Sequence, residues 1–155
     1  MPCSPDRAER IGMSFTTCLL VMFGGALGTL ARYAVTVLAM PISRALPWNT
    51  VMINVTGSFA IALFGALTVA QGRYPLSDNA RLFVMIGVCG GYTTFSSFSL
   101  QTLDLLRSGA LLRASVNIVA SGLLCIGAAA LGHVVALRIN AGAARTAPIA
   151  IHEGH

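Results

Sequence analysis

Charge is what this sequence lacks most. Only 10% of its 155 residues are Asp, Glu, Lys or Arg, and the ten basic residues are all arginines, so lysine is absent. Apolar residues make up 55% of the chain, and the mean hydropathy is +0.77. The length alone would suit one compact soluble domain, but this composition indicates a membrane protein instead.

Residues for catalysis or metal binding are also scarce. The four cysteines form no CxxC pair and have no histidine at ligand spacing, so we interpret them as structural. His152 and His155 are too few and too loosely placed to predict a metal site. No nucleophile with a nearby base can be assembled from the sequence, which makes an enzyme the least favoured class.

Long apolar runs are present. A bilayer core needs about 20 apolar residues per spanning helix. Arg32 is the only formally charged residue within the runs that qualify, and none of them holds a carboxylate. The sequence therefore predicts an all-α membrane protein with four spans, at residues 18–40, 50–70, 82–103 and 114–137.

The predicted four-helix transmembrane domain covers residues 14–138. A polar N-terminal tail, residues 1–13, precedes it. The Ala/Gly-rich residues 139–155 are expected to form a disordered C-terminal tail.

The arginines lie mostly near the ends of the predicted spans. A nucleic-acid-binding protein would gather such charges on one face, so we expect no nucleic-acid partner. Arginines at span ends anchor in the headgroup region and set the topology. Their distribution favours a cytoplasmic N-terminus so weakly that insertion in both orientations is compatible with it.

Polar residues in the first two spans each allow two interpretations. In "GGALGTLARY", residues 24–33, Gly24 and Gly28 share a face that would let another helix approach closely. Arg32 is either an interfacial anchor or a residue that draws anions into an aqueous vestibule. In "NTVMINVTGSF" of the second span, Asn54 is either a hydrogen-bonding residue between helices or a pore-lining donor.

The fourth span carries a thin polar stripe. Asn117, Ser121 and Cys125 recur every four residues and so lie on one helical face. The stripe alone identifies no function.

The third span contains "GVCGGYTTFSSFSLQ", residues 87–101, which combines glycines and hydroxyl residues with two phenylalanines. Each glycine of the Gly90-Gly91 pair costs about 1 kcal/mol of helix propensity, so we predict a break in the helix there. Free backbone groups at membrane depth are tolerated where they line a cavity, bind an ion or contact other protein. Phe95 and Phe98 share a face just beyond the break, a spacing that usually indicates packing.

Three of these segments, "GGALGTLARY", "NTVMINVTGSF" and "GGYTTFSSFSLQ", occur in this order in a four-span chain. With them the chain resembles the Fluc (CrcB) family of bacterial fluoride channels, over roughly residues 15–137. The resemblance implies an antiparallel, dual-topology homodimer in the bacterial inner membrane, with two fluoride pathways between the subunits. It also implies passive efflux that lowers cytoplasmic fluoride.

The resemblance implies a structural sodium ion at the dimer centre, which is not conducted. On this sequence its backbone carbonyl ligands would belong to Gly90 and Thr93. Carbonyl oxygens suit such a hard cation.

The family's pathway residues match six positions of this chain, and its vestibule arginine matches Arg32. Asn117 stands where some members have a tyrosine, and a serine stands at position 97 where threonine is common. The implied pathway residues are Asn54, Thr94, Phe95, Ser97, Phe98 and Ser121.

These residue types suit a small, strongly hydrated anion. Amide and hydroxyl groups supply donors that replace its water, and phenylalanine ring edges carry the positive part of the aromatic quadrupole. A proton-coupled exporter of hydrophobic cations relies on a carboxylate within the membrane, which the predicted spans lack. A non-conducting scaffold would not require the hydroxyl and amide groups at the third span.

Overall fold

The structure is a computed structural model that describes residues 14–43, 45–70 and 72–146, with the backbone alone for residues 143–146. Every regular element in these ranges is helical. The elements in chain order are α1 (Phe15–Ala39), a 3-10 turn (Met40–Ile42), α2 (Trp48–Leu67), α3 (Asp78–Leu82), a π-helical segment (Phe83–Cys89), α4 (Gly90–Tyr92), α5 (Phe95–Arg107) and α6 (Leu111–Thr146).

Four stretches of these helices are long and apolar enough to cross a membrane. The prediction of an all-helical protein with four spans is confirmed, and the chain is a multi-pass membrane protein. The four stretches are Phe15–Ile42, Trp48–Leu67, Asp78–Arg107 and Leu111–Gly142.

Burial is distributed as expected for a protein solvated by lipid. The interior contains small or β-branched residues, and Ala114 and Ala136 have no exposed surface at all. Large apolar side chains point outward, such as Leu112 and Ile126, which are 78% and 72% exposed. Hydrocarbon solvates such side chains as well as a protein core does, so burying them brings no gain in a bilayer.

Two helix pairs form most of the packing, α2 with α6 and α1 with the third span. Glycines allow both to approach closely. A Cβ at Gly24 would lie 2.5 Å from the carbonyl oxygen of Phe83, and one at Gly28 would overlap the carbonyl oxygen of Val88. On α6, a Cβ at Gly132 would lie 2.5 Å from the carbonyl oxygen of Phe59.

The third span changes its backbone conformation along its length. α3 passes into the π-helical segment, and α-helical bonding resumes in α4. Thr93 (φ −79°, ψ 156°) and Thr94 (φ −152°, ψ 108°) are then extended before α5 begins at Phe95. Their backbone amides and carbonyls therefore point in other directions than those of a continuous helix.

α2 ends at Leu67, before the predicted end of the second span at residue 70. The backbone N–H and the hydroxyl of Thr68 both donate to the carbonyl of Phe64, at 3.1 and 2.7 Å. The chain then folds back, and the N–H of Tyr74 donates to the carbonyl of Leu67 at 3.0 Å. These bonds satisfy carbonyls that the end of a helix leaves free.

α6 continues to Thr146 and so includes residues 139–146, the first part of the predicted C-terminal tail. Asn140 holds this end of the helix to α2, because its Nδ2 donates to the carbonyl of Ala66 at 3.2 Å. Its Oδ1 accepts from the backbone N–H of Arg73 at 2.8 Å. The remainder of that tail and the predicted polar tail, residues 1–13, lie outside the described residues.

Candidate functional site

Asn54 lies on α2, where it faces the extended residues that precede α5. Its Nδ2 donates to the carbonyl of Thr94 at 3.0 Å, and its Oδ1 accepts from the backbone N–H of Thr94 at 2.8 Å. The carboxamide thus replaces the backbone partners that Thr94 would have in a continuous helix. Both interpretations of Asn54 remain compatible with this geometry, because the amide keeps one N–H that these bonds do not use.

The hydroxyl of Thr94 organises the first turn of α5. Its Oγ1 accepts from the backbone N–H of Ser97 at 3.2 Å, which makes Thr94 the N-cap of the helix. The same hydroxyl lies 3.2 Å from the hydroxyl of Ser96 and donates to that of Ser97 at 3.0 Å. Because Ser97 accepts in this bond, its own hydroxyl hydrogen is available to another acceptor.

The carbonyls of Gly90 and Thr93 both lose their usual helical donors. In a continuous helix the N–H of residue 94 would bond Gly90, but that of Thr94 bonds Asn54 instead. The N–H of Ser97 would bond Thr93, but it bonds the Thr94 hydroxyl instead. Two neutral carbonyl oxygens without these donors are the type of ligand that a hard cation such as sodium accepts.

Phe95 and Phe98 form a pair on α5. Their ring centroids are 5.5 Å apart and the rings are tilted by 45°. Phe95 is 78% exposed, whereas Phe98 is half-buried. A single chain therefore offers these rings on its outer surface.

Ser121 lies in a buried polar network between α6 and α5. Its hydroxyl donates to Oδ1 of Asn117 at 3.5 Å, and Nδ2 of Asn117 donates to Oγ1 of Thr102 at 2.8 Å. The Thr102 hydroxyl in turn donates to the carbonyl of Phe98 at 2.7 Å. Sequence reasoning did not single out Thr102, although it stands four residues after Phe98 and so lies on the same helical face.

Arg32 is half-buried on α1 and is not brought together with the other candidate residues. Its carbonyl accepts from the hydroxyl of Thr36 at 2.8 Å. Within the described residues, its guanidinium has no polar contact with Asn54, Thr94 or Ser121.

An open pocket of about 480 Å³, lined by both polar and apolar residues, lies between the α1–α2 connection and the C-terminal half of α5. Its lining includes Asn49, Gln101 and the carboxylate-bearing Asp104. The side-chain oxygens of Asn49 and Gln101 are buried and have no hydrogen-bond partner among the described residues. Buried amide oxygens of this kind are normally satisfied by ordered water. Sequence reasoning missed this pocket, because its lining comes from distant parts of the chain.

Comparison with known proteins gives one consistent result. The sequence profile described as "CrcB-like protein, Camphor Resistance (CrcB)" matches residues 19–133. The "Fluoride-specific ion channel FluC" of Methylobacterium radiotolerans is 70% identical over 141 residues, which are 91% of this chain and 99% of the relative.

Two further relatives carry the same name. The protein of Gluconobacter oxydans is 68% identical over 91% of this chain and 99% of its own length. That of Methylocella silvestris is 56% identical over 79% of this chain and 94% of its own length. The chain therefore belongs to the Fluc (CrcB) family, a family of fluoride ion channels and not of enzymes.

Proposed function

We propose that this chain is a fluoride-selective channel through which fluoride leaves the bacterial cytoplasm passively across the inner membrane. The observation that carries the proposal is the 70% identity, over 91% of the chain, to a relative named as a fluoride-specific ion channel. A membrane potential that is negative inside favours anion exit by about 2.3 kcal/mol per 100 mV. Efflux of this kind lowers cytoplasmic fluoride without a coupled ion.

The functional unit is an antiparallel homodimer with the two fluoride pathways between its subunits. Three observations support this part of the proposal. Phe95 lies on the outer surface of the single chain, so a pathway along it needs a second wall. Among the residues of α5 only Thr102 is buried, which leaves most of this helix free to contact another subunit. The arginines favour a cytoplasmic N-terminus only weakly, which suits insertion of the chain in both orientations.

Asn54 and Ser97 are the strongest candidates for hydrogen-bond donors to fluoride. Asn54 has one N–H that its two bonds to Thr94 leave unused, and the Ser97 hydroxyl hydrogen is likewise uncommitted. The Ser121 hydroxyl donates to Asn117 and must rotate before it can bind an anion. The edges of Phe95 and Phe98 add a weak site without a fixed positive charge, from which an anion can leave quickly.

A sodium ion held by the carbonyls of Gly90 and Thr93 would complete the site. Thr94 and Ser97 prepare those carbonyls, because their N–H groups bond side chains rather than the helical partners. One chain supplies two ligands, and a hard cation needs more. The antiparallel partner would supply the remainder at the dimer axis, so that the ion stabilises the interface and adds a positive potential near both pathways.

Fluoride efflux from proteoliposomes tests the proposal. Vesicles loaded with potassium fluoride, and matched vesicles loaded with potassium chloride, are prepared with sodium present throughout and diluted into a medium free of the loaded anion. Valinomycin is then added so that potassium leaves together with the anion. We expect rapid efflux on a fluoride electrode and none above protein-free vesicles on a chloride electrode. Absence of fluoride efflux from protein that elutes as a single species would refute the proposed function.

A further inference from the structure

The buried contact between α5 and α6 is polar, and it joins side chains of two different spans. Thr102 is 8% exposed, Asn117 2% and Ser121 6%. The hydrogen bonds of this network all donate in the same direction. Ser121 donates to Asn117, Asn117 donates to Thr102, and Thr102 donates to the carbonyl of Phe98. It therefore connects the fourth span to the backbone of a residue of the implied pathway.

The direction of each hydrogen bond is fixed by the groups available. The Thr102 hydroxyl has one hydrogen, which goes to the carbonyl of Phe98, so toward α6 it can only accept. The Asn117 amide must then present Nδ2 to Thr102 and Oδ1 to Ser121. This arrangement permits a single orientation of the Asn117 amide.

Little else in the described structure holds α5 in place. Thr102 is its only buried residue, and the helix contacts α2 and α6 far less than those two helices contact each other. The beginning of α5 is held by the two hydrogen bonds between the Asn54 side chain and the Thr94 backbone. The contact of Thr102 with Asn117 fixes a second point along the helix, and Phe98 lies between the two points.

We propose that Thr102 and Asn117 are positioning residues, which set where α5 holds the Phe95–Phe98 pair without themselves contacting fluoride. The proposal rests on the proposed function. Removing the Thr102 hydroxyl leaves a buried N–H of Asn117 without an acceptor, which favours a shift or a tilt of α5. The rings would then move relative to Asn54, which stays on the tightly packed α2.

The variants Thr102→Val and Asn117→Leu remove the contact with little change in side-chain size. Thr102→Ser keeps the hydroxyl and serves as the conservative rescue. Ser99→Ala is the matched control, because the Ser99 hydroxyl also bonds a carbonyl four residues earlier on α5, that of Phe95 at 2.9 Å, but is exposed. Each is reconstituted for fluoride efflux, and hydrogen–deuterium exchange of the α5 amides is followed in the same vesicles.

We expect Thr102→Val and Asn117→Leu to lower the fluoride efflux rate and to accelerate α5 exchange, each by about tenfold. The double variant should be no worse than either single variant, since both remove one contact. Thr102→Ser and Ser99→Ala should behave as the wild type.

Two results separate this proposal from the proposed function. Wild-type vesicles that pass no fluoride would overturn the proposed function. Wild-type efflux together with unchanged efflux and unchanged α5 exchange in Thr102→Val would overturn the positioning role alone. Equal losses in Thr102→Val and Ser99→Ala would also overturn it, because the effect would then not depend on the contact with α6.

Discussion

The carboxamide of Asn54 bonds the backbone of Thr94 twice, donating to its carbonyl at 3.0 Å and accepting from its N–H at 2.8 Å. This pair links α2 to the start of α5 across a large separation in sequence. An amide is the side chain that suits this task, because it offers a donor and an acceptor side by side. Asn54 therefore holds the extended backbone of the third span while keeping one donor for a ligand.

We predict that Asn54→Asp abolishes fluoride efflux and leaves the dimer intact. A carboxylate can still accept from the N–H of Thr94, but it cannot donate to the carbonyl, and its charge repels an anion. Asn79→Asp, which adds the same charge at an exposed position on α3, should conduct as the wild type. Efflux from vesicles measures the loss of conduction, and size-exclusion elution measures whether the dimer is kept. Undiminished efflux in Asn54→Asp would mean that Asn54 serves only in packing.

Phe95→Ile and Phe98→Ile should each abolish fluoride efflux. Isoleucine is apolar but has no positive ring edge to face an anion. Phe23→Ile is the matched control, because Phe23 is 67% exposed on α1 and lies outside the candidate site. If both α5 variants conduct at the wild-type rate, the rings serve only in packing.

Efflux should depend on sodium. Protein purified and reconstituted without sodium, with potassium as the cation so that valinomycin still carries the counter-charge, is expected to lose fluoride efflux and to recover it when sodium is restored. The carbonyls of Gly90 and Thr93 lack their helical donors, which is the basis of this expectation. Full activity after exhaustive removal of sodium would contradict it.

Gly28→Ala should destabilise the protein strongly, whereas Gly25→Ala should not. The added Cβ at Gly28 would overlap the carbonyl oxygen of Val88 and lie 2.8 Å from the backbone nitrogen of Tyr92, and neither backbone atom can move freely. At Gly25 nothing lies within 4 Å of the Cβ position. Overpacking lowers the free energy of unfolding by about 1–3 kcal/mol, which thermal unfolding in detergent would detect. Equal melting temperatures of the two variants would disprove the close contact at Gly28.

Arg81→Leu should lower stability by about 1–3 kcal/mol. The Arg81 guanidinium donates to the carbonyl of Gly65 at 3.3 Å and to the hydroxyl of Thr68 at 3.0 Å, so it caps the C-terminal end of α2. Arg73→Leu is the control, since Arg73 is exposed and its guanidinium contacts only the neighbouring Tyr74 among the described residues. A thermal melt of both variants measures the difference, and equal loss in both would argue against the cap.

Most residues of the site around α5 are named from the sequence, but the hydrogen bonds between them are not predicted by it. The family resemblance implies that Asn54 and Thr94 are both pathway residues, yet nothing in the sequence indicates that they bond each other, since they lie on different spans. Thr102 was missed for the same reason, because a threonine in an apolar helix usually bonds the preceding turn of its own helix. Its second partner, Asn117, became apparent only when α5 and α6 were placed side by side.

The sequence by itself determined that the chain is helical and spans a membrane four times. The sequence contains four apolar runs of sufficient length, in which Arg32 is the only charged residue. Such runs form helices in a bilayer, because backbone groups in lipid must bond within their own segment. The tertiary structure decided which polar groups are already bonded and which remain free. Hydrogen-bond partners in a helical bundle come from other spans, and their pairing depends on helix rotation and depth, which the local sequence does not encode.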